Sequence, residues 1–210
     1  MKRYLTALGE STAEYVEKRS RFIATLRHCE TEQEAVSFIE EMRSRYWDAR
    51  HNCFAYTVQG GTLSRFSDDG EPHGTAGKPI LDVVLGSELK DIAVVVTRYF
   101  GGVLLGTGGL VRAYSKSAKD AILNSQVYEM IPSTLYSIVC EYSDHQKLLS
   151  LLENCGGKVN NTEFTDKVTL DVAFKDEDIA LFSEKLSETF SARLKAEEKE
   201  KIISAFLLEK

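Results

Sequence analysis

The spacing of apolar positions changes several times along the chain, and each change marks an element. Glu14-Tyr15-Val16-Glu17 and Phe22-Ile23-Ala24-Thr25-Leu26 read as two strands flanking a charged turn at Lys18-Arg19-Ser20-Arg21. Thr31 with Glu34 three residues on forms a capping box. Behind it Ala35, Phe38, Ile39 and Met42 recur at helical spacing, which predicts an amphipathic helix with one face on a sheet. Trp47 closes that helix and is expected to anchor its packing. Cys53–Val58 and Leu63–Phe66 form a hairpin around Gln59-Gly60-Gly61-Thr62. Ser67–Pro79, with three glycines and two prolines, is too broken for regular structure, and the short apolar run Ile80–Leu85 reads as helix. Ile92-Ala93-Val94-Val95-Val96 is a continuous β-branched run, as in a central strand buried on both faces. A glycine-rich loop then opens a long helix from about Gly108 to Asn124, its inner side carrying Leu110, Tyr114, Ser117, Ala118, Ala121 and Ile122.

Near Pro132 the pattern starts afresh. Leu135–Tyr142 reads as strand and Ser143–Asn154 as helix. Lys158–Phe164 and Lys167–Phe174 are strands joined at Thr165-Asp166. Asp176–Thr189 is a second helix, and Arg193–Phe206 supplies a last strand. Ser143 and Asp176 are the expected N-caps. The order βαββαβ is the ferredoxin-like pattern. With the boundary placed at 130–133, the chain divides into domains of residues 1–131 and 132–210, a size at which each can bury a core.

Charge modifies this picture. The 210 residues carry 26 Lys plus Arg against 32 Asp plus Glu, net -6, which argues against a strongly basic nucleic-acid glue. Residues 1–130 hold 16 basic and 17 acidic side chains, and residues 131–210 hold 10 and 15; ten of the eleven arginines lie in the first part. If either domain grips an anion, it is the first. Cys29, Cys53, Cys140 and Cys155 are far apart without metal-ligand spacing, so reduced, buried thiols are expected. Met1–Glu10 has no apolar targeting segment and no apolar run approaches about 18 residues, so a cytoplasmic protein with no membrane partner is expected.

Two segments carry candidate chemistry. In Val94–Tyr114 a buried strand delivers Arg98, Tyr99 and Phe100, and five glycines precede Leu110. Glycines admit positive φ and close ligand approach, and free N–H groups at a helix start attract anions. Gly106, Thr107, Gly108 and Gly109 are therefore candidate backbone donors, and Arg98, Arg112, Lys116 and Lys119 candidate phosphate contacts. Tyr99 and Phe100 are candidate base-stacking platforms. The alternative is glycines that merely let a helix pack closely, with its cations in solvent. Neither a Walker loop nor a dinucleotide fingerprint fits: Gly106 is followed by Thr107-Gly108, and Val111 stands where a glycine or alanine is needed.

The other segment, Ser67–Pro79, holds Asp68, Asp69, Glu71, His73 and Lys78. It lacks the HExxH and EF-hand spacings, so no metal or cofactor is assigned. Either its carboxylates cap neighbouring turns, or His73 and Lys78 face the same anion as Arg98 while the carboxylates orient them. Cys53 beside His51 lacks a third orienting group, which favours packing over thiol catalysis.

Ser67–Pro79 followed by Arg98-Tyr99-Phe100-Gly101-Gly102 and Leu105-Gly106 resembles the hallmark sequence of the YigZ/Impact family. Lys18-Arg19-Ser20-Arg21-Phe22 and Arg50-His51-Asn52-Cys53 are similar to it as well. The resemblance implies an α+β protein. Its first domain would be an α/β sandwich similar to the second domain of ribosomal protein S-five. Its second would be ferredoxin-like and similar to the end domain of elongation factor G. It implies regulation of translation, through protein partners in the eukaryotic branch, and names no catalytic residues. The expected function is thus a non-enzymatic binder of RNA or the ribosome. The alternatives are a regulator docking a protein partner in translation control through the same glycine-rich face, or an enzyme acting on a phosphorylated small molecule.

Overall fold

The computed structural model describes residues 3–208. In chain order the elements are β1 (Tyr4–Ala7), β2 (Glu10–Glu17), β3 (Ser20–His28), α1 (Glu32–Arg45), β4 (His51–Val58), β5 (Leu63–Ser67), α2 (Gly77–Gly86), β6 (Ile92–Tyr99), α3 (Gly106–Leu123), β7 (Val127–Cys140), α4 (Tyr142–Asn154), β8 (Lys158–Phe164), β9 (Val168–Lys175), α5 (Ile179–Thr189) and β10 (Ala196–Leu207). They fall into two compact units, the bulk of one being Tyr4–Glu129 and of the other Met130–Phe206. Among the described residues no helix is long and apolar enough to cross a membrane.

The first unit is built on the antiparallel sheet β2-β3-β6-β4-β5. Side chains alternate across a strand, and β6 uses both faces. Ile92, Val94 and Val96 pack under α2 and α3 with Phe22, Leu26, Ala55, Ile80 and Tyr114. Ala93 and Val95 pack under α1 with Phe38, Ile39, Met42 and Tyr56. The continuous β-branched run is therefore the double-sided central strand its composition predicts. α1 carries the expected capping box, with Glu34 N–H donating to Thr31 Oγ1 at 3.2 Å and the Glu34 carboxylate returning to the Thr31 N–H. Ala35, Phe38, Ile39 and Met42 are its buried positions.

Both helices at the glycine-rich segments start earlier than their patterns indicate. α2 begins at Gly77, inside the segment read as irregular. Ala76 supplies no side-chain cap; the Asp68 carboxylate reaches across the loop instead, accepting from the N–H groups of Gly74 (2.8 Å), Ala76 (3.0 Å) and Gly77 (2.8 Å). Gly77 has to be glycine, because a Cβ would lie 2.5 Å from the Ser67 carbonyl carbon. α3 begins at Gly106, so three of the five glycines are its first turn rather than a loop before it.

The second unit is ferredoxin-like. β8 pairs β9, β9 pairs β7 and β10 pairs β7, the sheet order of that fold. One face buries Ile138, Val168, Leu170, Val172 and Phe174 against Leu148 and Leu152 of α4 and Phe182 and Leu186 of α5. Two N-caps differ from expectation. α4 starts from Glu141, leaving Ser143 inside the helix, and α5 starts from Asp178. Asp176 instead accepts from the Thr134 hydroxyl at 2.8 Å and from Lys201 at 3.0 Å, so its carboxylate ties strand to strand. β7 begins at Val127 and runs through Pro132, where the pattern had placed a break.

Candidate functional site

The chemistry of the first unit collects where β6 ends. Arg98 is the next position after Val94 and Val96 on the α2/α3 side, and the alternation that buries those valines buries it too, at 6% exposure. Its partner comes from the loop: Glu71, 8% exposed, accepts from Arg98 Nη1 at 2.5 Å and from the Tyr114 hydroxyl of α3 at 2.9 Å. Arg98 Nη2 lies 3.5 Å from Ser20 Oγ, and the guanidinium sits 5.5 Å from the Phe22 ring and 5.6 Å from the Phe100 ring. Its Nε is buried without a partner. Cys53 Sγ donates to the Asp68 carbonyl (3.0 Å) and lies 3.4 Å from the Tyr114 hydroxyl. Burial pushes the Cys53 thiol and the Tyr114 phenol far up, so both stay protonated. This network ties strand, loop and helix together beneath the surface.

Arg98 therefore does not face an open hollow; it is neutralised inside. The carboxylates expected to work beside it are engaged as well. Burial raises the Asp68 pKa, but the N–H groups of Gly74, Gly77 and Ala76 outweigh it and hold the carboxyl below its ordinary 3.8. Asp69 accepts from the Asn52 N–H at 2.7 Å and from Arg43 at 2.9 Å. Asp68 and Asp69 thus cap and hold neighbouring turns, while Glu71 pairs with Arg98. Lys78 pairs with Asp82 one turn along α2, and His73 is fully exposed with Nδ1 3.8 Å from Asp68, so neither joins Arg98. Among the described residues no three His, Cys, Asp or Glu side chains are placed to hold a metal ion.

The α3 cations separate. Arg112 and Lys116 line a hollow of about 260 Å³ with Tyr15, Glu17, Gly109 and Ala113. Lys119 lies on another side, beside Val83, Gly86, Ser87 and Ile122. Arg112 and Lys116, at i and i+4, share a face of α3 that Lys119 does not. Lys116 is paired with Asp120 at 2.6 Å, whereas Arg112 is exposed with no ion pair among the described residues. Gly106, Thr107 and Gly108 are exposed at the start of α3, Gly109 is half-buried, and no side chain caps this helix end.

Two neighbouring features depart from their sequence reading. The β2–β3 hairpin closes on two residues, Lys18 and Arg19, because Glu17 pairs with Ser20. Both have positive φ, +44° and +68°. A two-residue hairpin turn favours Asn-Gly there, since other side chains are strained in the left-handed region. The turn is locked onto the site: Gly101 N–H donates to Ser20 Oγ at 3.2 Å, and a Cβ on Gly101 would lie 2.0 Å from the Arg19 carbonyl carbon. Lys18 and Arg19 are exposed and, among the described residues, without ion-pair partners. Their clash with turn preference was readable.

The other departure is Trp47, 82% exposed rather than the packing anchor expected. Positions 38, 42 and 46 follow one face, so Tyr46 takes the inward place at the end of α1 and Trp47 falls in the turn beyond the helix. Of the stacking candidates, Phe100 is exposed and Tyr99 half-buried, its hydroxyl donating to Asp48 at 2.7 Å. Burial, and then that bond, push the Tyr99 phenol up to about 12.

Fold and site together define a two-unit α+β protein: an S-five-like sandwich carrying a cationic, glycine-rich sheet end, and a ferredoxin-like unit. The model of the Impact N-terminal domain matches residues 18–122, and that of a domain of unknown function (DUF1949) matches residues 138–193. IMPACT family member YigZ of Escherichia coli (strain K12) is 42% identical over 174 residues, covering 81% of this chain and 85% of that protein. IMPACT family member YvyE of Bacillus subtilis (strain 168) is 36% identical over 186 residues, 88% of this chain and 86% of that one. A crystal structure of a hypothetical protein superposes with a TM-score of 0.60 at 38% identity, covering 95% of this chain and 98% of that chain. The chain belongs to the IMPACT family.

Proposed function

We propose that this protein is a non-enzymatic RNA-binding protein acting in the regulation of translation, and that it grips RNA phosphates at the β6 end of its first unit. The observation that carries this reading is the hairpin tip. Placing Lys18 and Arg19 at left-handed φ costs on the order of 1–3 kcal/mol per residue, and it puts two exposed cations in a turn packed on Gly101, in the segment that leads into α3. Arg112 adds a third cation, and the N–H groups of Gly106–Gly109 add neutral donors and the positive end of an 18-residue helix dipole. Arg98 acts from below, as a positioning residue that holds Ser20 and Glu71 in place. Kinship with the IMPACT family supports a translation-associated role.

The test is RNA binding by fluorescence anisotropy across a salt series. Arg112→Ala is expected to weaken binding and reduce the slope of log K against log salt by about 0.7, the value for one lost contact on a single strand. A slope identical to wild type removes Arg112 from the interface, and no binding at low salt defeats the reading.

A second reading, docking of a protein partner in translation control on the same face, rests on Leu104, 82% exposed, and Val103 beside it. An exposed apolar pair next to glycines is a plausible partner contact. Capture of one partner that survives nuclease and is lost in Leu104→Ser would favour it.

A further inference from the structure

The only tryptophan of the chain is held out in water by a turn that is itself fixed. Tyr46 N–H closes α1 on the Met42 carbonyl at 3.0 Å, and Ala49 N–H donates to the Tyr46 carbonyl at 2.9 Å. Asp48 accepts from the Tyr99 hydroxyl at 2.7 Å. The indole therefore projects from a backbone bonded on both sides. Its chain neighbours are Tyr46, turned inward onto the core, and Asp48, with Arg45, Ala49 and Arg50 beyond them, so the chain flanking it is mostly polar and charged. Its turn is tied through Asp48 to a second aromatic, Tyr99. The Arg21 guanidinium lies 5.9 Å from the Tyr99 ring centre but is paired with Glu14 at 2.8 and 2.9 Å, whereas Arg50 is exposed without an ion-pair partner among the described residues.

Strand register connects this turn with the cationic hairpin. Tyr99 is opposite Arg21 on β3, two residues from Arg19, while Asp48 bonds Tyr99 from the α1 side. Adjacent strands are about 4.8 Å apart, so the bond to Tyr99 brings the Trp47 turn alongside the strand that ends in Lys18-Arg19.

We infer that Trp47 is a stacking platform for an unpaired base, and so that the RNA is single-stranded where it crosses this end of the sheet. The inference rests on the RNA-binding reading above and deepens it. Tryptophan presents a flat π-face that any base can cover, whereas bases inside a duplex are already stacked on each other and offer none.

Because Trp47 is the sole tryptophan, its fluorescence reports directly. Titration with a single-stranded adenylate dodecamer is expected to quench the emission saturably, and the blunt duplex of that strand with oligouridylate to bind more weakly and quench less. Trp47→Ala is expected to weaken single-strand binding, read by anisotropy of a labelled strand, by about 5- to 100-fold, and Trp47→Phe to retain most of the affinity. The side chain is exposed, so both variants should melt as the wild type does. If the strand binds with emission unmoved and Trp47→Ala as tight as wild type, the platform is overturned while the RNA reading stands. Equal affinity for the duplex also overturns it. If the strand binds no form of the protein, both fall.

Discussion

Each unit covers one or both faces of an antiparallel sheet with helices, yet they place their polar chemistry differently. In the second unit the helix-covered core is built from aliphatic and aromatic side chains and two cysteines. Its charges pair at the surface, Lys199 with Asp171, Lys201 with Asp176 and Arg193 with Asp144. The first unit buries an arginine with a glutamate, a tyrosine and a cysteine, places two cations at strained backbone, and leaves a tryptophan in water. Among the described residues the second unit buries no comparable ion pair, and its own left-handed pair, Ser191 and Ala192, carries no charge. A buried ion pair and cations on left-handed backbone that meet at one end of one sheet mark where the molecule does something besides fold.

The comparison breaks most visibly at Glu71. Glu71→Ala leaves Arg98 buried and unpaired and is expected to destabilise by about 3–5 kcal/mol in urea unfolding. Replacing both partners, Arg98→Met with Glu71→Leu, is expected to cost less than the single change, because no uncompensated charge remains. Asp68→Asn is expected to cost about 1–2 kcal/mol at neutral pH through the weakened hold on α2. The sign of its pH dependence follows from a carboxyl held lower in the folded state than unfolded. That stabilisation is complete above the ordinary 3.8 and disappears as pH falls through the folded value. Wild type and Asp68→Asn should therefore differ by a constant amount above pH 3.8 and converge as pH falls below it through the folded value. In the second unit, Lys199→Ala removes an exposed pair and should leave the unfolding midpoint where it was.

Most of the fold was legible in the chain because its signals are local. The Thr31–Glu34 box, the β-branched run of β6 and the glycine hairpin at Gln59–Thr62 each lie within a few residues. What escaped was set at a distance. The α2 cap is supplied by Asp68, nine residues before Gly77, and the partner of Arg98 lies 27 residues away. The burial of Arg98 was nonetheless implicit in the period of Val94 and Val96, as the exposure of Trp47 was in that of Phe38 and Met42. In both cases residue type, a charge read as exposed and an indole read as buried, was given more weight than position.

The central claim is that the hairpin tip forgoes stability for cations, and the double substitution Lys18→Asn/Arg19→Gly tests it most directly. Asn-Gly suits both left-handed positions, so urea unfolding should show a protein more stable by about 1 kcal/mol. RNA binding in the same preparation should weaken, with the salt slope reduced by about 1.4 for two lost contacts. A variant that gains stability and keeps the wild-type slope, or one that loses stability, would contradict the account.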